Sequence, residues 1–483
     1  MSCFLSASDG PDVPAIIVST EIDGDYVDVG DLTFTPGRYD THTARFLYDK
    51  EFVRRGYAIE PGIALDSARH LLPGLPLAVE DAAPDAWGQH LLQRAERQRA
   101  QVEGRASRSL TPDLLLLAAS DMTRQGALRF RTEQDGPFLS EGDEVPKMLS
   151  LEVLLEAAAT VDADPNTQDW RAIQRLLATG TSGLGGARPK AAVRDDEGRL
   201  WLAKFSRIGD ANDVPVWEKV ALDIAERAGL PVPERRLVSV GGKRVLLVRR
   251  FDRRDDGSRV PYISARTLLD ARDLGTAGDY GGRGIAGRLR RESPRANADL
   301  EQIWRQAALN LLINNTDNHL RNHGFLREGR GWTNAPVFDL DPNPDTGSYF
   351  ATYFGGASYR LSGLRGLMEM AKDCYLSDEQ ARRVLDEVHQ AVSGWDRDAR
   401  DHGASEGEIE LFHDAFTGVD EQVERMITPP GSTGGSRVTK SDLDIDTGPG
   451  ESKPPVRRTR SKSTPKSTLG SFSTPPRAEG WEL

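Results

Sequence analysis

Apolar positions along the chain change period several times, and each change predicts an element. Ala15 to Ser19, Leu32 to Thr35 and Phe46-Leu47-Tyr48 are short apolar or β-branched runs that predict strands. Asp81 then precedes a stretch in which Trp87, Leu91, Leu92 and Ala95 share one helical face. Pro112 opens a second helix through Leu117, residues 125–131 and Phe138 return to strand, and Leu151 to Ala158 to helix. A first unit is expected over residues 12–140.

Residues 141–250 have another texture. A helix from Trp170 to Ala178 ends at Gly180 and is followed by TSGLGGARPK, Thr181 to Lys190. Ala191 to Val193 and Leu200 to Phe205 flank the turn sequence Asp195 to Gly198, which predicts a hairpin. Val214 to Ala228 carries Trp217, Val220, Ala221, Ile224 and Ala228 on one face and stops at Gly229. Leu237 to Val240, Gly241-Gly242-Lys243 and Val245 to Val248 predict a second hairpin. The order is glycine-rich loop, hairpin, helix, hairpin.

Residues 251–428 are expected to be mainly helical. Leu300 to Ile313 places Ile303, Trp304, Ala307, Ala308, Leu311 and Leu312 at helical spacing, and helices resume over 378–393 and 406–427. Residues 314–348, dense in Asn, Asp, Pro and Gly, predict loop and short strand. From Pro429 to Leu483 the chain is rich in Pro, Gly, Ser and Thr without aliphatic periodicity, a composition that predicts disorder. Lys453 to Arg477 holds seven Lys or Arg and no acid. That segment reads as a solvated tail or as an electrostatic contact with nucleic acid or an acidic partner.

Composition narrows the class. The chain has 483 residues and a formal net charge of −12, which argues against wholesale nucleic-acid binding but leaves room for a local basic patch. Its apolar runs, such as Leu114 to Ala119, fall far short of the ~20 residues of a membrane helix. The first ten residues lack a basic and then apolar leader. Cys3 and Cys374 make neither a disulfide framework nor a zinc motif. A soluble cytoplasmic protein is expected, with no membrane partner.

Candidate chemistry concentrates in NNTDNHLRNHGFL, Asn314 to Leu326. Asp317 and Asn322 are spaced like the base and the metal-holding amide of a protein-kinase catalytic loop. Asp339 follows the strand-like Val337-Phe338. One carboxylate can accept a hydroxyl proton while an amide oxygen and a second carboxylate hold Mg2+ against ATP. An Asp-x4-Asn pair alone is weak, because Asx-rich loops often only cap and turn. Upstream, however, Gly183, Gly185 and Gly186 form a loop whose amides can approach phosphates. Lys204 lies on the second strand after it, and Glu218 on the next helix is a possible partner for that lysine. His319 has three open roles: shaping the loop by hydrogen bonding, proton transfer, or none. Asp341 is a metal ligand or a turn former, and Asp252 a structural ion-pair partner. Trp87, Trp217 and Trp304 read as core. The arginine-rich run 283–295 reads as a solvated face, or else a substrate or nucleic-acid patch.

These motifs, with ARFLYDKEFVRRGYAIEP, DAAPDAWGQHLLQR, LGGARPKA, LLVRRFDR, ISARTLL and FDLDPNP, resemble the HipA-type toxin kinases of bacterial toxin–antitoxin pairs. The resemblance covers roughly residues 12–425 and implies an α+β, two-lobed, protein-kinase-like fold. Its N-lobe is mixed α/β with an extra N-terminal subdomain, over 12–140 and 141–250, and a mainly helical C-lobe spans 251–428. It implies an ATP- and Mg2+-dependent Ser/Thr kinase with Asp317 as base, Asn322 and Asp339 on magnesium, and Lys204 and the glycine-rich loop on ATP. It implies a translation factor or aminoacyl-tRNA synthetase as target, and a helix-turn-helix antitoxin through which any DNA contact is indirect. In some members a serine of the loop is autophosphorylated; the nearest candidate is Ser182, beside Thr181, although Gly183 is inserted relative to the family pattern. Asn318 stands where many relatives have a second Asp, and Arg249 where some carry an acid. A lipid or small-molecule kinase and a non-catalytic kinase-like regulator are the alternatives. Deleting residues 430–483 should leave kinase activity and the melting temperature unchanged; a large drop in melting temperature on truncation would contradict this reading of the tail.

Overall fold

The computed structural model describes residues 15–22, 24–36, 42–139, 145–163, 169–178, 188–272 and 277–428. The expected glycine-rich loop (Thr181, Ser182, Gly183, Gly185 and Gly186) and the expected tail 429–483 lie outside them.

The N-terminal strands are β1 (Ile16–Ile22), β2 (Asp25–Pro36), β3 (His42–Tyr48), β4 (Arg69–Leu72) and β5 (Arg129–Arg131), with helix α1 (Lys50–Arg55) after β3. They pair antiparallel in the order β4-β3-β2-β1-β5. Helices α2 (Leu77–Asp81), α3 (Ala86–Val102) and α4 (Pro112–Ala118) lie between β4 and β5. Asp81 therefore closes one helix rather than opening the next. Pro84 interrupts the run, and Asp85 caps α3 by accepting from the Ala86 amide at 2.8 Å.

The next part contains α5 (Leu151–Ala163), α6 (Trp170–Ala178), β6 (Lys190–Arg194), β7 (Leu200–Phe205), α7 (Val214–Arg227), β8 (Arg235–Val240) and β9 (Lys243–Arg249). Both hairpins form, and the sheet order is β6-β7-β9-β8. The last part opens with β10 (Tyr262–Ser264), α8 (Ala265–Leu268), β11 (Gly278–Asp279), α9 (Ile285–Glu292) and α10 (Ala296–Leu312). It continues with β12 (Gly324–Glu328), β13 (Gly331–Asn334), β14 (Thr352–Tyr353) and five helices: α11 (Arg360–Glu369), α12 (Asp378–Val392), α13 (Trp395–Asp401), α14 (Glu406–Thr417) and α15 (Asp420–Ile427). It is mainly helical, yet it holds a three-stranded sheet, β10-β12-β13, and a parallel pair, β11-β14. Strands β12 and β13 join through Gly329-Arg330, and Gly329 takes the positive φ of 56° that such a two-residue hairpin favours.

One apolar core runs from Val18, Phe46 and Phe130 of the first sheet to Trp304 and Leu367 of the helical lobe. Helix α7 precedes the mainly helical part in sequence, but its Trp217 is fully buried and stacks on Phe412 of α14 at 3.8 Å, with Trp395 6.2 Å away. Two buried carboxylates join the first unit to the segment after β9. Asp121 accepts from Arg129 and Arg259, and Asp252 from Arg250, Arg253 and the Gly126 amide. Asp252 is thus engaged in the structural pairing expected of it.

His323 stitches the helical lobe together from inside. Gln306 lies 3.1 Å from its Nδ1, and its Nε2 lies 3.1 Å from the Asn318 carbonyl and 3.2 Å from the Tyr280 hydroxyl. A neutral ring satisfies these contacts, and burial pulls its pKa down to about 4. The unfolded chain takes up a proton near pH 6.5, so stability should fall as pH drops from about 6.5 to 4, by on the order of 3 kcal/mol. A His323→Gln variant should lose that part of the acid sensitivity; equal slopes of melting temperature against pH would contradict it. Phe412→Ala, which unpacks Trp217, should cost roughly 3–5 kcal/mol in urea unfolding. A cost under about 1 kcal/mol would show that α7 is anchored elsewhere.

Candidate active site

Strand alternation sets the first side of the site. In β7, Trp201, Ala203 and Phe205 are buried, while Leu202 and Lys204 face a cleft. Val248 of β9 pairs opposite Leu202 and lines the same cleft. Phe251, Tyr262 and Phe338 complete apolar walls, with Phe251 5.5 Å from Phe338 and 6.2 Å from Tyr262. Flat aromatic walls of this kind suit a planar base.

Lys204 ends at a buried charge cluster. Its ammonium donates to Glu218 Oε1 at 2.5 Å and to Asp339 Oδ1. Asp339 adopts φ +53°, a left-handed conformation that few non-glycine residues take. Burial opposes its ionisation, but Lys204 and Lys190 outweigh burial and hold the carboxyl well below the usual range. Burial opposes the charge on Lys204 as well, and Asp339 and Glu218 overcome it, raising that pKa. Glu218 is raised by burial, with Lys204 working the other way.

The asparagine-dense loop is held by its own amides. Asn314 donates to the carbonyls of Asn343 and Asp345, and Asn343 donates to Thr316 Oγ1 at 2.7 Å, locking this loop to the one after Asp339. Asn322 donates to the Asp317 carbonyl at 2.9 Å, which closes the Asp-x4-Asn turn and leaves its amide oxygen free of that bond. Asn318 is buried. It accepts from the Thr352 amide at 2.9 Å and donates to the Thr352 carbonyl at 3.2 Å. An aspartate there would lack the donor and set a charge against that carbonyl, so in this chain asparagine is the residue that fits. Asp317 itself is exposed; burial around its carboxyl raises its pKa, Asp339 adds to that, and His319 and Arg188 oppose it. His319 Nδ1 is buried with no hydrogen-bond partner among the described residues. The histidine that shapes this loop by hydrogen bonding is therefore His323, four residues on.

The structure thus brings Lys204, Glu218, Asp317, Asn322 and Asp339 to one region, while the glycines and Ser182 fall outside the described residues. Asp341 joins them: burial pushes its pKa up to about 6, and Glu218, Asp339 and Asp317 add to that while Arg188 opposes it. Sequence reasoning missed Lys190. It pairs directly opposite Lys204, is buried, and is pulled down to about 8 by burial, with Asp339 resisting and Lys204 contributing. The signal was present, since extending the predicted hairpin by one residue puts the two lysines side by side. Also missed was the start of α3, where Asp85 accepts from Arg321 of the asparagine-dense loop at 3.0 Å and the Trp87 indole donates to the Lys190 carbonyl at 3.2 Å. Asp85 and Arg321 lie 236 positions apart, and no local pattern links them.

The arrangement sets two ammonium groups, a metal-compatible carboxylate and amide, and an exposed carboxylate at one end of an aromatic cleft. Residues 182–395 match the HipA-like C-terminal domain family. No curated protein matches the sequence. Among solved structures, the fold is similar to that in the complex of HipA, HipB and operator DNA from the toxin–antitoxin system of Shewanella oneidensis MR-1. The TM-score is 0.60 at 17% identity, over 84% of this chain and 97% of that one. The Helicobacter pylori proinflammatory kinase CtkA is a more distant match, at TM-score 0.36 and 17% identity over 50% of this chain and 93% of that one. Residues 182–395 therefore carry a HipA-like C-terminal domain, and the fold of the chain is similar to that of the HipA of known structure.

Proposed function

We propose that the chain is an ATP- and Mg2+-dependent Ser/Thr protein kinase of the HipA toxin type. The observation that carries this reading is the Lys204 ammonium held between Glu218 and Asp339 at the end of an aromatic-walled cleft, with Asp317 exposed nearby. The nucleotide base lies between Leu202, Val248, Phe251, Tyr262 and Phe338. Lys204, with Lys190 behind it, neutralises the phosphates. Asp317 orients the acceptor hydroxyl and takes its proton as the bond from the acceptor oxygen to the γ-phosphorus forms and the bridging bond between the γ-phosphorus and the β-phosphate oxygen breaks, releasing ADP.

The residues fit magnesium. Among the described residues no three His, Cys, Asp or Glu side chains form a ready-made cage. Mg2+ at phosphates commonly uses only one or two carboxylates. Asp339 offers Oδ2, since Lys204 takes Oδ1, and Asn322 offers its amide oxygen. The mutual repulsion of Asp317, Asp339 and Asp341 is the kind a dication relieves. Bound there, the ion would supply charge neutralisation of the transferred phosphoryl group.

The target is a protein of translation, a factor or an aminoacyl-tRNA synthetase, and its phosphorylation arrests growth in the cytoplasm. The HipA of known structure is in complex with HipB and operator DNA. A helix-turn-helix antitoxin is the corresponding partner here, with DNA reached through it. No helix among the described residues is long and apolar enough to cross a membrane. The glycine-rich loop completes the phosphate site, and Ser182 is its candidate for autophosphorylation, where about two added negative charges would repel ATP.

The test is phosphate transfer from Mg·ATP in a cell extract, with phosphosites mapped by mass spectrometry for the wild type and Asp317→Asn. Sites made only by the wild type are expected, with the rate falling about 10²–10⁴-fold in the variant. Identical maps with ATP binding intact would overturn the assignment in favour of a non-protein substrate or a regulatory scaffold. A map without residues 181 and 182 would remove the autophosphorylation site.

A further inference from the structure

A second cavity, of about 400 Å³, opens where the arginine-rich run folds, and its walls carry Arg272, Arg283, Arg288 and Arg291 with Leu269 and Leu320. It shares no lining residue with the nucleotide cleft. The turn Leu320–Asn322 reaches both, Leu320 into this cavity and Asn322 into the cleft. A ligand here would lie within a few residues of Asp317.

We infer that this cavity docks an acidic segment of the protein substrate, an inference that rests on the kinase reading above. The first argument is unspent charge. Arg272 is engaged by Glu60 at 3.0 Å and Asp270 at 3.2 Å. Asp279 is occupied by the amides of Gly281 and Gly356. Arg288 reaches only Glu292, at 3.9 Å. Arg283 and Arg291 are exposed and neither makes a close ion pair among the described residues, although the charge of Arg283 acts on Asp279 of the same wall.

The second argument is rigidity. A Cβ on Gly284 would lie 1.8 Å from the Asp279 carbonyl oxygen, and one on Gly287 1.9 Å from that of Gly282. The glycines pack backbone on backbone, and Ile285, Ala286 and Leu289 bury the inner face of α9. The arginines therefore project from a fixed frame, and positioning them costs little on binding. The arginines of the run stay exposed or half-buried, as a solvated face would, while Ile285, Ala286 and Leu289 fix the other face.

The third argument selects the ligand. A chain of net charge −12 repels a long polyanion, whereas a short acidic stretch meets a wall on which four arginines outnumber Asp270 and Asp279. The apolar wall at Leu269 and Leu320 suits side-chain methylenes between carboxylates. A cavity of this size takes several side-chain groups rather than one ion.

Fluorescence anisotropy of a labelled hexaglutamate peptide against the full chain tests this, with hexalysine as control. Hexaglutamate should bind, release at high salt, and bind about tenfold or more weakly to an Arg283→Glu, Arg291→Glu variant that keeps its melting temperature and its ATP binding. No binding, or equal binding to both proteins, would overturn the proposal. So would a short single-stranded RNA that binds more tightly than the peptide and is lost in the same variant. Phosphate transfer is read separately: peptide binding without transfer to any protein sinks the kinase reading and leaves the pocket, and transfer with charge-insensitive peptide binding does the reverse.

Discussion

A buried ammonium is tolerated only where opposite charges are held against it, and Lys204 imposes that condition on the whole molecule. Its two carboxylates come from different places, Glu218 from α7 and Asp339 from the loop beyond β13. Strand β7, helix α7 and that loop must all be in place before the lysine is stable. Helix α7 is fixed by Trp217 stacking on Phe412 of the opposite lobe. The Asp339 loop is fixed by Asn314, Thr316 and Asn343. Removing either carboxylate would leave the largely buried ammonium less compensated, so the Lys204 end of the cleft is built as one unit. The left-handed backbone of Asp339 is the local strain that this arrangement sustains.

The N-terminal unit belongs to the same construction. Asp81 is bonded by the Ser264 amide and by the hydroxyls of Ser264 and Thr267. Glu80 holds Arg266, and Asp85 holds Arg321 beside Asn322. The next residues of α3 reach the other lobe, where Trp87 donates to the carbonyl of Lys190. One helix start therefore touches both the strand that carries Lys190 and the turn that carries Asn322. That contact makes the first unit part of the site's geometry rather than an appendage.

The asparagines of residues 314–322 show how far general residue preferences can be trusted. Asx-rich loops are common and often only make turns. Here Asn314, Asn315, Asn318 and Asn322 each bond a different element: the Asp339 loop, α10, β14 and the Asp317 carbonyl. At Asn318 the amide donates and accepts at once against Thr352, and at Asn314 and Asn315 it is the donor that is used. Carboxylates at those positions would add charge to a region already crowded with Asp317, Asp339 and Asp341.

Local pattern determined much of this protein. The two hairpins, the helix carrying Glu218 and the Asp-x4-Asn loop depend on neighbours a few residues apart, and period and turn chemistry are local physics. The same locality placed Lys204 on a cleft-facing strand position. It failed where the breaker residue was misjudged, at Asp81, because Pro84 ends one helix and Asp85 starts another. It left the role of His319 open and did not single out His323, since only packing decides which of two nearby rings finds Gln306, Tyr280 and Asn318. Tertiary structure alone decided the Lys190 environment, the Asp85–Arg321 contact and the arginine-lined cavity. Each depends on desolvation and on charges brought together from distant segments, and the energy of a charge is set by what surrounds it in space, which no spacing along the chain encodes.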